Sequence, residues 1–392
     1  MTREDRIKIL QKEMDKSGLG ALLLLYSRDI MYFTGTAQPS YLVILPDDYF
    51  LFVRSGIDFA LNDVFISREK VREERRLGNI FKEISSRWGS VSKKIGTELD
   101  ILTAEQFKDV EKTFPGYEFV NSSPIVLEQR KRKDLSEIEK IKKACDAIHH
   151  GHEAVLSTLK EGITELELAA SVENAHRLAG HEGIFFIRQP DFFMSRGPIS
   201  SGSNLFRISG VVYTITGVGL SSSVPAGPSR RRISKGETVI VDIPTLVEGY
   251  HADQTRTYCL GNASTEIKSM YDDLVTVADH LIDRMKPGMK CSDIYRAAVE
   301  KAKALGRSDH FQNFGKGKKS RIIGHGIGLE LNEPPVPSEY DSSEVGDNYV
   351  IALDIHMMDE AIGVVKLEDM ILIKKEGNEI LTKSPRQLFE MT

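Results

Sequence analysis

Five side chains in the C-terminal third, Asp242, Asp253, His325, Asp354 and Glu368, have the types and spacing of a metal-binding shell. The first pair lies in VIVDIPTLVEGYHADQTRT, where two runs of strand-forming residues flank a Glu248-Gly249 turn and each run carries one aspartate. The last pair lies in VIALDIHMMDEAIGVVKLEDMILI, which repeats the pattern with Asp354 on one strand and Glu368 on the next. Between them, GHGIGLELNEPP sets His325 among glycines, so that backbone can approach closely while the imidazole reaches an ion on one side and a hydrogen-bond partner on the other. Four ionised carboxylates converging on one buried point repel strongly unless cations sit among them. Two divalent ions would neutralise them, and carboxylates with one imidazole suit Mn²⁺, Fe²⁺, Co²⁺ or Zn²⁺.

The elements that must position these groups follow from local pattern. Strand side chains alternate, so Asp242 shares a face with Ile240 and Pro244, while Val241 and Ile243 point the other way into the core. Upstream, residues 4 to 17 carry apolar positions at helical spacing. Short apolar runs such as GALLLLY, YLVIL and YFLFV then alternate with helical or turn segments up to about Val126, the pattern of an α/β domain. The stretch LEQRKRKDLSEIEKIKKACDAIHHGHEAVL changes character to a basic linker and a helix opened by Asp134 or Ser136, sustained by Leu135, Ile138, Ile141 and Ala144. The spacing predicts two domains, 1–130 and 131–392.

A chain of 392 residues with 41% hydrophobic and 28% charged residues fits a two-domain globular protein. The charged opening Met1-Thr-Arg-Glu-Asp-Arg leads into an amphipathic stretch, which argues against a signal peptide or membrane span and for a cytoplasmic location. Cys145, Cys259 and Cys291 are widely spaced and read as buried thiols. A net charge of −5 with only short basic runs disfavours nucleic acid as a partner. GVGLSS lacks the last glycine of a dinucleotide fingerprint and GKGKKS lacks the glycine spacing of a phosphate-binding loop, so neither supports a nucleotide enzyme.

The order and wording of VDIPTLVEGYHADQTRT, GHGIGLELNEPP and VVKLEDMILI resemble the M24 metallopeptidases, which include aminopeptidase P, Xaa-Pro dipeptidase (prolidase), methionine aminopeptidase and the non-peptidase creatinase. ALLLLYSRDIMYFTG looks like the opening of the creatinase-type N-terminal domain, which points to the proline-peptidase and creatinase branch. The resemblance implies an α/β (α+β) architecture: a smaller creatinase-like N-terminal domain and a pita-bread C-terminal domain that wraps helices around a curved antiparallel sheet. It implies that Asp242 chelates one metal, Asp253 and Glu368 bridge two, and His325 binds the second. Thr255 and Arg256 of DQTRT would brace the strand. Homodimers are the implied assembly.

Departures from the family pattern bear on chemistry. Asp354 stands where the family has glutamate followed by Pro-Gly, so the metal ligand and proton carrier is one methylene short. His356 is an unexpected neighbour, an acid or base if the strand is regular and otherwise structural. Asn332 and Arg321 replace histidines that position the scissile amide, and a third aligns with Ala226. Arg321 would suit a substrate carboxylate, and TGVGLSSSVPAGPS is either a lid or a plain surface loop. The expected activity is a dinuclear-metal hydrolase of the Xaa-Pro peptidase type, cleaving an amide in a dipeptide or small peptide. The alternatives are a creatinase-like C–N hydrolase or lyase acting on a small carboxylated metabolite, and an inactive binding homologue.

Overall fold

The computed structural model describes residues 3, 5–85, 92–192, 194 and 196–391. The chain divides into two compact units, Met1–Arg130 and Lys131–Thr392.

The first unit contains α1 (Asp5–Lys16), β1 (Ala21–Leu24), α2 (Ser27–Thr34), β2 (Ser40–Ile44), β3 (Tyr49–Val53), α3 (Ile57–Asp63), β4 (Val71–Glu73), α4 (Leu77–Ser85), β5 (Lys94–Thr97), α5 (Ala104–Thr113), β6 (Glu118–Asn121) and α6, which runs to Lys131. Its strands form one mixed sheet in the order β4-β3-β2-β1-β5-β6. β1 is buried at every position, and Ala21, Leu23, Val43, Phe50, Phe52 and Ile95 pack with Ile80, Val110 and Phe114 in one core. That continuous apolar run is what a central strand covered on both faces requires.

The second unit opens on α7 (Leu135–Thr158) and α8 (Glu165–Leu178). Asp134 is the N-cap of α7: its side chain accepts from the Glu137 backbone N–H while the Glu137 side chain accepts from that of Asp134. Thr164 and Glu167 do the same for α8. Then come β7 (Ile199–Ser201), β8 (Thr238–Asp242), β9 (Thr245–Val247), β10 (Tyr250–Ala252), β11 (Thr255–Leu260), α9 (Thr265–Arg284), α10 (Cys291–Ala304), β12 (Gly324–Gly326), β13 (Val350–Asp359), β14 (Gly363–Leu372), β15 (Glu379–Ile380) and β16 (Phe389–Met391). The large sheet runs β12-β13-β14-β11-β8-β7, with β15 added beside β14 and β16 beside β11. On α9, Ile267, Met270, Tyr271, Leu274, Val277, Ala278 and Leu281 form the buried stripe that packs on β13 and β14.

The segment 238–260 is not one long hairpin. Pro244 follows the end of β8, and a residue without an N–H cannot continue the ladder. β9 and β10 therefore form their own two-stranded sheet, with Glu248 and Gly249 both at positive φ in the turn, and α7 packs on it. Cys145, Cys259 and Cys291 are buried free thiols, and no helix among the described residues is long and apolar enough to cross a membrane.

Candidate active site and metal centre

Strand register builds the site. β13 and β14 pair without a break, Asp354 directly opposite Glu368 and His356 opposite Lys366. Thr255 of β11 stands opposite Glu368 on one side and opposite Asp242 of β8 on the other. Directly opposed residues share a face, so Asp354, Glu368, Thr255 and Asp242 form one row across the sheet. Asp253, two residues before Thr255, joins that face, as does His325, paired with Ala352 two residues before Asp354.

All five predicted ligands line one cavity of about 580 Å³, together with His356, Lys366, Asn332, Arg188, Tyr213 and Thr214. Donor atoms of Asp253, His325 and Glu368 lie within 4.8 Å of one another. His325 Nδ1 is 3.0 Å from the Gly326 carbonyl and Nε2 is 3.9 Å from Glu368 Oε1, so one ring nitrogen is anchored and the other faces the carboxylates. Thr255 Oγ1 donates to Glu368 Oε2 at 2.9 Å, while Oε1 is buried and accepts no hydrogen bond. Behind the row, the Arg256 guanidinium donates to Asp369 at 2.6 Å and to the carbonyls of Glu368, Thr255, Ser384 and Pro385, tying β11 to β14 and to the chain beyond β15.

Burial and mutual repulsion set the charge states. Burial, with the nearby Asp242, holds the Asp253 carboxyl well above the usual carboxylate range. Burial, then Asp253 and Asp354, does the same to Glu368. Asp354 is pushed up to about 6 by burial against the opposing pull of Lys366. Carboxyls held in this condition gain by taking a cation. The Asp253, His325 and Glu368 group, with an orphaned buried oxygen on Glu368, fits one divalent ion of the hard or borderline kind.

The remaining two carboxylates are engaged differently. Lys366 Nζ lies 2.5 Å from Asp242 Oδ2, 3.2 Å from Asp354 Oδ1 and 3.6 Å from Glu368 Oε2, with 1% of its side chain exposed. Burial acts against its charge, but Asp242, Asp354 and Glu368 outweigh burial and keep it protonated. Sequence reasoning missed this residue. The available signal was position: two before Glu368 on a strand is the same face.

His356 shares the face of Asp354, as a regular strand requires, but it is held as a wall. Its ring stacks on Phe314 at 4.7 Å, its Nε2 is 3.0 Å from the Asn313 carbonyl, and burial with nearby Lys366 pushes its pKa down to about 3. Asn332 reaches the cavity from an exposed position. Arg321 does not line it: its side chain is 58% exposed and pairs with Glu339 at 3.1 Å. Ala226 and the stretch 216–229 do not line it either; the neighbouring residues 210–214 do.

The sequence profile of metallopeptidase family M24 matches residues 139–375, and that of the Creatinase/Prolidase N-terminal domain matches residues 6–132. The chain is 26% identical over 393 residues to the Xaa-Pro dipeptidase of Pyrococcus furiosus, covering 98% of this chain and 99% of the relative. The prolidase structure from Pyrococcus horikoshii superposes with a TM-score of 0.80 at 25% identity, over 98% of this chain and 99% of that one. That of the Xaa-Pro dipeptidase from Bacillus anthracis does so with 0.84 at 22% identity over the whole of both chains. The mixed α/β architecture with an N-terminal unit and a pita-bread-like C-terminal unit is the one these structures share.

Proposed function

The chain belongs to metallopeptidase family M24, and from that premise we propose that it is a metal-dependent hydrolase of the Xaa-Pro dipeptidase type, cleaving the amide of a dipeptide or small peptide. The observation that carries this reading is the Asp253, His325 and Glu368 donor group in the wall of a cavity of about 580 Å³, a size suited to a small ligand. Likeness to a dipeptidase along nearly the whole chain supports the substrate class. The expected pair of Mn²⁺, Fe²⁺, Co²⁺ or Zn²⁺ ions is accommodated only in part: these three residues fit one ion, whereas Asp242 is hydrogen-bonded to the Lys366 ammonium and Asp354 Oδ1, 3.2 Å from that ammonium, accepts no hydrogen bond.

A divalent cation bound there supplies a Lewis acid that polarises the amide carbonyl and makes water more acidic. The protein's own groups do the rest. Asp354 is the proton carrier, because its carboxyl sits at the cavity with 19% of the side chain exposed and burial pushes its pKa up to about 6. Asn332 offers an amide donor to the scissile carbonyl in place of a histidine. His356, stacked on Phe314 behind it, is a fixed part of the cavity wall. Carboxylate recognition moves from Arg321 to Arg188, which lines the cavity. The alternative of a lyase or C–N hydrolase on a carboxylated metabolite loses the support it drew from Arg321.

The test is hydrolysis of a dipeptide panel, including Xaa-Pro members, by protein loaded with Mn²⁺. Arg188→Met should raise KM about ten- to a hundredfold for substrates with a free carboxylate, and leave their C-terminal amides unaffected, from the roughly 1.5–3 kcal/mol of a hydrogen bond to a charged group. A folded, loaded protein that cleaves no amide in the panel sinks the proposal.

A further inference from the structure

We infer that the Lys366 ammonium stands where a second metal ion would sit, so that this protein holds one divalent cation per chain and supplies the other positive charge itself. The inference rests on the metal-dependent reading above and concerns how the same site is filled.

Three observations carry it. First, Lys366 Nζ stands between the carboxylates that lie outside the Asp253, His325 and Glu368 group: it donates to Asp242 Oδ2 at 2.5 Å and forms an ion pair with Asp354 Oδ1 at 3.2 Å. Asp242 Oδ2 also accepts from Thr214 Oγ1 at 3.2 Å, so that oxygen is shared between two donors of the protein. A cation on the same oxygens would meet a like charge at close range with no water between them. Second, Glu368 is divided between two positive poles. Its Oε2 takes the Thr255 hydroxyl and lies 3.6 Å from the ammonium, while Oε1 turns to the His325 side without a hydrogen bond. One oxygen thus faces the ammonium and the other faces His325, the disposition of a carboxylate that spans two positive centres. Third, the lysine is anchored. Its backbone N–H donates to Thr257 Oγ1 at 2.9 Å and its carbonyl accepts from the same hydroxyl at 2.7 Å, inside the unbroken β13–β14 pairing.

The shortened Asp354 belongs to the same arrangement. Directly opposite Glu368, its carboxylate meets the ammonium and is not in the three-residue donor group. The shorter aspartate side chain leaves room on this face of the sheet, and the Lys366 ammonium lies 3.2 Å from its Oδ1.

The experiment uses the full chain, stripped of metal and titrated with Mn²⁺, reading bound metal by elemental analysis after dialysis and electronic coupling by electron paramagnetic resonance. Wild type should take up about one Mn²⁺ per chain with the spectrum of an isolated ion, and Lys366→Ala should take up about two with an exchange-coupled spectrum. Lys366→Arg, which keeps the charge, should stay near one and serves as the control if the alanine variant does not fold. Two coupled ions in wild type, or in Lys366→Arg, overturn the inference while leaving the hydrolase reading intact. A folded Lys366→Ala protein that still holds one ion also overturns it. No bound Mn²⁺ in any form overturns the metal-dependent reading together with it.

Discussion

Thr255 shows how far the site depends on groups that never touch a substrate. Its hydroxyl holds Glu368 Oε2 at 2.9 Å and thereby aims Oε1 at His325. Thr255→Val keeps the shape and removes the donor, and metal affinity measured by competition with a chelator should fall about 10- to 100-fold, the usual cost of losing a partner behind a ligand. Unchanged affinity would mean that the strand alone orients Glu368. The acidic residues and His325 were legible because their types are rare together and their spacing repeats. Thr255 and Arg256 were legible as braces through resemblance. Lys366 was not, because a lysine in a strand pattern ordinarily faces water; only the approach of Asp242 from β8 and Asp354 from β13 makes it a buried cation. Arg321 was misplaced because it precedes β12 in a segment whose backbone pairs with 338–339, which delivers its side chain to Glu339 and solvent.

At the scale of elements, helix α7 was readable from its first turn, since Asp134 three residues before Glu137 is a capping pair and the apolar spacing follows. The turn at Glu248-Gly249 was readable for the same local reason. Its separation from the main sheet was not, because that depends on α7 covering the β9–β10 ribbon. The closeness of α7 to α8 was also hidden. A Cβ built on Gly151 of α7 falls 1.9 Å from Nε2 of His176 on α8, so the glycine is there to admit the ring. In an isolated helix Gly151→Ala would stabilise by about 1 kcal/mol. Here it should destabilise by about 1–3 kcal/mol through overpacking, measured by denaturant unfolding. A variant more stable than wild type would show that the two helices separate freely.

At the scale of the molecule, the second unit carries a set of imidazoles that fold neutral. His152, His176 and His181 are each pushed down to about 4, principally by burial, with His149 and Arg256 adding to the effect on His152, and His181 to that on His176. A histidine free in the unfolded chain titrates near 6.5, so below that pH the unfolded state binds protons that the folded state refuses. Stability is therefore complete above about 6.5 and is lost as pH falls toward about 4, by about 2 kcal/mol per imidazole between pH 7 and 5. Thermal unfolding of the metal-free protein should show a falling midpoint across that interval, and His176→Gln should flatten the fall. A midpoint that rises on acidification would mean that relief of the crowded carboxyls Asp253 and Glu368 dominates instead. By itself the sequence determined the candidate ligand types, the turn at Glu248-Gly249, a helix beginning at Asp134 or Ser136 and the family resemblance, because each is written in residues close together along the chain. Only the tertiary structure decided which oxygens face one another, that Arg188 reaches the cavity and Arg321 does not, and that Lys366 enters among the carboxylates. Several of those contacts, such as Lys366 with Asp242 and Thr255 with Glu368, join residues more than a hundred positions apart, and across such distances strand register, not local pattern, sets what meets.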